Sequence, residues 1–257
     1  MYPDLFGIEG FSMTFMIIIG VIAASVLLIV YLHHCGVKES TYLDLLILIV
    51  GTVLAGVMFA ILFENLYEAI KHQVKNEPQK WTWAMTFYGG LVAGVPTFLL
   101  LYKFYYLRHN EPIMKHILVI APACITLGHA FGRIGCFLSG CCYGIEVDPG
   151  HGILFPGHTH EVLPTQLIEC VYLFIMSTIL IFLAFKRNFE YNFVIYMVFY
   201  GIFRFILEFF RGDERGQLAG LSPSQYWCIV MLVGSIFIYW LFKRKIFVEK
   251  ENNVNEI

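Results

Sequence analysis

The sequence predicts an all-α, polytopic integral membrane protein with about seven transmembrane helices. Three observations lead there. Apolar residues make up 58% of the 257 and charged residues only 14%, a balance that a soluble domain with solvated faces does not have. Apolar runs of about 20 residues, the length that crosses a bilayer core, recur along the chain. These runs are continuous instead of alternating every second residue, so they read as helices and not as barrel strands.

The first run, 11–32, follows Met1-Tyr2-Pro3-Asp4, and both its length and its acidic start differ from a cleaved signal peptide, so it is expected to remain as an anchor. The second, 42–63, is bounded by Glu64. The third, 84–106, carries Gly89, Gly90 and Gly94 among aromatic and aliphatic residues. The fourth, 115–138, ends in a glycine-punctuated stretch, and the fifth, 163–185, opens on Pro164. The sixth spans 190–210 and the seventh 221–242, which begins at Ser222-Pro223. Between them, 64–83 is mixed in charge and is expected to form an amphipathic surface helix, whereas 139–162 is rich in Gly, Pro and His. With no repeat and no composition break, residues 1–257 read as a single membrane domain.

Lys and Arg set the orientation. With the N-terminus outside, inner segments hold ten (Lys38, Lys103, Arg108, Lys115, Lys186, Arg187, Lys243, Arg244, Lys245 and Lys250) and outer segments five (Lys71, Lys75, Lys80, Arg211 and Arg215). That bias predicts an N-out/C-in topology, with 139–162 facing outward. A net charge of −2 gives no reason to expect nucleic acid as a partner.

Chemistry is sought where ionisable groups lie inside apolar runs, because such placement is costly. His129 and Arg133 are four residues apart, as are Arg204 and Glu208, so each pair shares a helix face; Arg211 follows at the outer end. Arg204 and Glu208 suit a buried ion pair. Arg133 has no acidic residue within a turn or two, so its planar fork is expected to meet an anion, and in a membrane the available phosphate belongs to a lipid. Gly128, Gly132, Gly135, Gly140 and Gly144 permit close backbone approach, of a helix or of a ligand, and their tightening spacing suggests a helix breaking into a loop.

Gly132-Arg133-Ile134-Gly135-Cys136-Phe137, with Gly140 and Gly144 beyond it, resembles the signature of the prolipoprotein diacylglyceryl transferase family. Pro164-Thr165-Gln166-Leu167-Ile168-Glu169 is similar to that family's Pro-Ser-Gln-Leu-Tyr-Glu segment. Tyr200-Gly201-Ile202-Phe203-Arg204-Phe205-Ile206-Leu207-Glu208-Phe209-Phe210-Arg211 resembles its Tyr-Gly-x-x-Arg-x-x-x-Glu-Phe-x-Arg helix, and Gly220-Leu221-Ser222-Pro223-Ser224-Gln225 the opening of its last helix. The resemblance covers about 85–240, in order.

It implies a seven-helix, multi-pass enzyme of the bacterial cytoplasmic membrane that moves the diacylglyceryl group of phosphatidylglycerol to the lipobox cysteine of prolipoprotein signal peptides, releasing glycerol phosphate. It further implies that Arg133 and Arg204 meet the lipid phosphate, that Glu208 orients Arg204, and that Tyr200 donates to the headgroup. Gly89, Gly90, Gly135, Gly140, Gly144, Gln166, Glu169 and Arg211 become candidate substrate contacts. No cofactor is implied.

The chain departs from the family pattern at three places. Tyr88-Gly89-Gly90 stands where His-Gly-Gly is usual, Cys136 where the signature has Asn, and Cys141 where it has an acidic residue. The proton acceptor is therefore open between His129 and Tyr88. Cys136, Cys141 and Cys142 lack a Cys-x-x-Cys spacing, which argues against a metal, although metal binding and thiol chemistry both stay as alternatives. A related protein that keeps a lipid-phosphate pocket but serves another acceptor is the competing function. A transporter is disfavoured because two matching halves with broken helices are not evident.

Overall fold

The computed structural model describes residues 11–75, 87–109, 113–156, 158–187, 189–212 and 220–244. Lys80, Arg215, Lys245 and Lys250 from the charge count lie outside them. The described chain is helical: α1 Phe11–His34, α2 Tyr42–Lys75, α3 Phe87–His109, α4 Met114–Leu138, α5 Thr165–Arg187, α6 Asn192–Leu207 and α7 Pro223–Lys243, with 3-10 turns at Glu39–Thr41 and Glu208–Phe210. All seven expected runs are helices. Among the described residues, six are long and apolar enough to cross a membrane; α3 has the length, 23 residues.

One difference is at the end of α2. Of the segment 64–83, residues 64–75 are not a separate surface helix but continue α2 to Lys75, and 76–83 lie outside the described residues. The reason is local: no Gly or Pro interrupts Met58–Lys75, and Asn65, the residue most able to break the pattern, returns its side-chain amide to the Ile61 carbonyl at 2.9 Å.

The chain forms two compact units. One contains α2 and α3, which pack as a hairpin. Within it, Gly89 and Gly90 fit against Phe59, Ala60, Phe63 and Gly56, so tightly that a Cβ on Gly89 would stand 2.8 Å from the Phe59 carbonyl oxygen. Asp44 at the start of α2 meets Arg108 at 3.2 Å and His109 at 2.6 Å at the end of α3.

The other unit contains α1 and α4–α7. Here α4 packs against α1, α5 and α6, and α6 packs against α7. Close approach of α1 and α4 depends on missing side chains: a Cβ on Gly20 would lie 2.9 Å from the Gly128 carbonyl oxygen, and one on Gly135 would lie 3.2 Å from Met13 Cα. Asn192, fully buried on α6, clamps three helices by donating to the carbonyls of Val119 on α4 at 3.0 Å and Leu180 on α5 at 3.1 Å. The outward faces are apolar. On α1, Ile18, Ile22, Val26 and Val30 repeat every four residues, each about half exposed, a stripe suited to lipid and not to water.

The end of α4 positions the site. Gly140 takes φ +68°, its N–H bonds the Phe137 carbonyl and the Cys141 N–H bonds the Cys136 carbonyl, the paired bonds of a Schellman stop. The chain then folds back, held by backbone bonds from Gly144 to Leu163 and from Ile145 to Phe210, with Phe155 buried edge-on against Phe137. The helix break expected from the glycine spacing is therefore at Gly140.

Gly20→Leu is expected to destabilise the protein by about 1–3 kcal/mol through overpacking of α1 on α4. Gly94→Ala, where an added Cβ meets nothing within 4 Å, should be neutral or slightly stabilising. Thermal denaturation in detergent checks both.

Candidate active site

A carboxylate organises the centre of the larger unit. Glu169, one turn into α5, is completely buried, and a charge there must be neutralised by its neighbours. Arg133 from α4 supplies the main counter-charge: its Nη2 donates to Glu169 Oε1 at 3.1 Å, and its Nε lies 3.0 Å from Oε2 without hydrogen-bond alignment. From α6, the Tyr200 hydroxyl donates to Oε1 at 2.9 Å and Arg204 Nε stands 3.9 Å away. His129 completes the ring with Nε2 at 3.7 Å and its imidazole edge-on to Tyr200, centroids 5.6 Å apart.

Two features of the helices bring these groups together. His129 and Arg133 are spaced by four residues on α4, and Tyr200, Arg204 and Glu208 continue the same spacing through α6 into its 3-10 turn. Tyr196, buried one turn before, stacks on Tyr200 at 5.6 Å. Tyr172 of α5 stacks on Phe203 of α6 at 3.7 Å, which fixes the two helices around Glu169.

Arg204 joins this cluster to a second carboxylate. Its Nη2 meets Glu208 at 2.7 Å, the i,i+4 pair expected from spacing. Glu208 in turn accepts a 2.8 Å hydrogen bond from the Ser222 hydroxyl, and Ser222 is the N-cap of α7, locked in a reciprocal capping box with Gln225. Arg204 Nη1, buried, has no hydrogen-bond acceptor. A guanidinium N–H withdrawn from water is expensive to leave unpaired, so this donor is free for an acceptor that arrives with a ligand.

The expectation that Arg133 stands unpaired is corrected. Its carboxylate lies 36 residues away in sequence, on another helix, where inspection of neighbouring turns does not look. The same rule that singled out His129, Arg133, Arg204 and Glu208 applies to Glu169, an acid inside the fifth apolar run, and would have marked it as their partner. Ser222 was read only as part of the segment that opens α7; its bond to Glu208 was not foreseen, and the Ser-x-x-Gln capping pattern marks it only as a helix cap.

Other expected contacts have structural work in the fold. Gln166 is buried and donates to the Cys141 carbonyl at 2.6 Å, while Thr165 donates to that of Cys142 at 2.9 Å, so the start of α5 holds the turn after α4. Gly144 is packed so closely that a Cβ would lie 2.6 Å from the Phe210 carbonyl oxygen, and its backbone forms a bridge with Arg211. Gly135 serves the α1 contact and Gly140 the helix stop; Gly89 and Gly90 belong to the α2–α3 hairpin. Gly132, by contrast, faces open space next to Arg133. Tyr88 lies in the first turn of α3, and its side chain is outside the described residues. A separate open cleft in the 139–162 loop is lined by Glu146, Asp148, His151 and His160 and contains none of these groups.

Fold and site together define a multi-pass membrane protein with a buried, multi-helix charge cluster. The profile of the prolipoprotein diacylglyceryl transferase family matches residues 5–241, and the chain belongs to that family. It is similar to the phosphatidylglycerol–prolipoprotein diacylglyceryl transferase of Clostridium tetani, 29% identical over 246 residues that cover 92% of this chain and 94% of that protein. It is also similar to enzymes so named from Clostridium perfringens, where the protein is the second of that name, and from Finegoldia magna. Each is 28% identical, with 94% and 95% of both chains covered, respectively.

Replacing Glu169 by Ala leaves Arg133 buried without its counter-charge and is expected to cost about 3–5 kcal/mol of stability. Tyr200→Phe removes one hydrogen bond from the same carboxylate and should cost about 1 kcal/mol. Thermal or denaturant unfolding in detergent reads the difference.

Proposed function

We propose that this protein transfers the diacylglyceryl group of phosphatidylglycerol to the lipobox cysteine thiol of prolipoproteins and releases glycerol phosphate, from a site in the bacterial cytoplasmic membrane. Family membership supports the reaction class. The structural observation that carries it to these residues is the Arg204 Nη1 donor, buried and without an acceptor, beside Arg133 and the open space at Gly132.

In this reading the lipid phosphate enters beside the two guanidiniums. The acceptor thiolate attacks the glyceryl carbon, the carbon–oxygen bond to phosphate breaks, and the negative charge gathers on a leaving phosphate monoester. Arg133 and Arg204, kept from water and already aimed by Glu169 and Glu208, stabilise that charge without reorganising at the moment of reaction. The thiol proton, held at a resting pKa near 8.5, has to leave first. His129 is the acceptor for it in this scheme, since its ring lies within the cluster. The charge bias supports N-out/C-in, which puts the break at Gly140 and the site toward the outer leaflet.

The test is transfer from labelled phosphatidylglycerol to a lipobox peptide by purified protein in detergent. Arg133→Ala and Arg204→Ala are each expected to lower kcat/KM by about 10²–10³, the usual effect of deleting one donor to a developing anion. His129→Gln should lower kcat with little change in KM. Absence of product from folded protein, in an assay where the Clostridium tetani relative is active, would overturn the reading.

A further inference from the structure

The fold gathers three cysteines that the charge cluster does not use. The sulfur atoms of Cys136, Cys141 and Cys142 all lie within 4.8 Å of one another, and no histidine or carboxylate joins them among the described residues. Cys136 is on the last turn of α4. The Schellman stop folds the chain back so that the Cys141 N–H reaches the Cys136 carbonyl at 3.1 Å and the Cys141 thiol lies 3.6 Å from that same oxygen. Cys142 then takes φ +64°, the left-handed conformation that glycine adopts at no cost and other residues do not. In an extended chain two adjacent side chains point to opposite faces; here both sulfurs are on the side of Cys136. A strained non-glycine backbone that turns a reactive side chain toward two others is an observation in need of a reason.

Charge supplies a second argument. Arg133 lies close enough to interact electrostatically with Cys136 and Cys142, and Arg211 with Cys142. These two fixed positive charges offset part of the negative charge of several thiolates.

We propose that Cys136, Cys141 and Cys142 form a three-thiolate site for one thiophilic d10 metal ion, Cu⁺ or Zn²⁺. Metal–sulfur bonds of about 2.3 Å in a trigonal array need sulfurs about 4 Å apart, so the observed spacing closes onto an ion with small rotations. An all-sulfur donor set selects soft ions. Cu⁺ is satisfied by three sulfurs, and Zn²⁺ would keep a water as a fourth ligand. Each thiol that is still protonated releases its proton to solvent as its metal–sulfur bond forms, and no electron is transferred. A disulfide fits less well, because it would leave the third sulfur unused and require an oxidant. The bound ion would tie the last turn of α4 to the Cys141–Cys142 turn and leave the Glu169 cluster intact. This inference does not depend on the transferase reading.

The test uses full-length protein in detergent, reduced, stripped of metal and kept anaerobic. It is titrated with Cu⁺ or Zn²⁺ in competition with a chromophoric chelator, with Cd²⁺ as an ultraviolet probe of thiolate ligation. One equivalent should bind, with a thiolate-to-metal band, and raise the melting temperature. Cys136→Ser, Cys141→Ser and Cys142→Ser should each weaken binding at least tenfold, whereas Cys228→Ser on α7 should not. The preferred ion names the occupant. Binding no tighter than in the triple Ser variant, or a wild-type melting temperature that neither ion raises, would overturn the proposal.

Discussion

A single carboxylate out of reach of water constrains the larger unit. Glu169 has no exposed surface, and a charge in that position is tolerated only if cations and donors surround it. Arg133, Tyr200, Arg204 and His129 do so from two other helices, and this fixes the relative rotation and height of α4, α5 and α6. Hydrophobic packing alone is undemanding about register in lipid, because neighbouring helices and acyl chains are equally apolar. The polar network supplies the specificity that packing lacks. It also leaves Arg204 Nη1 buried without an acceptor, the donor on which the proposed binding of a lipid phosphate rests.

The arrangement extends outward in two directions. Through Arg204 and Glu208 it reaches Ser222, so that the cap which starts α7 is part of the same chain of contacts. At the other end of the site, Gln166 and Thr165, from the first turn of α5, hold the carbonyls of Cys141 and Cys142. The loop after α4 is thus pinned by the helix that carries Glu169. Residues that resemble a family signature prove to be in large part the means of this pinning: Gly140 turns the chain, Gly144 lets Phe210 and Leu163 approach, and Gly135 admits α1.

Much of this was legible in the sequence because it depends on local rules. Apolar length located seven helices, four-residue spacing paired Arg204 with Glu208, and the clustered glycines marked the break after α4. What stayed hidden is relational. The partner of Arg133 is on another helix, and no local window connects position 133 to position 169. In the described part of 64–83, mixed charge suggested a change of element, yet helix propensity without a breaker keeps α2 going to Lys75. The gathering of the three sulfurs was hidden as well, because linear spacing assumes a regular backbone, whereas a left-handed residue at Cys142 brings neighbouring sulfurs to one side.

The central claim is that Glu169 and Arg133 act as one unit, and a double-mutant cycle measures this directly. Unfolding free energies would be compared for the wild type, Glu169→Gln, Arg133→Met and the double variant in the same detergent. The account predicts that the double variant is more stable than the sum of the single losses implies, with a coupling of about 1–3 kcal/mol. Losses that add to within about 0.5 kcal/mol would contradict it, because the carboxylate would then hold nothing through that arginine.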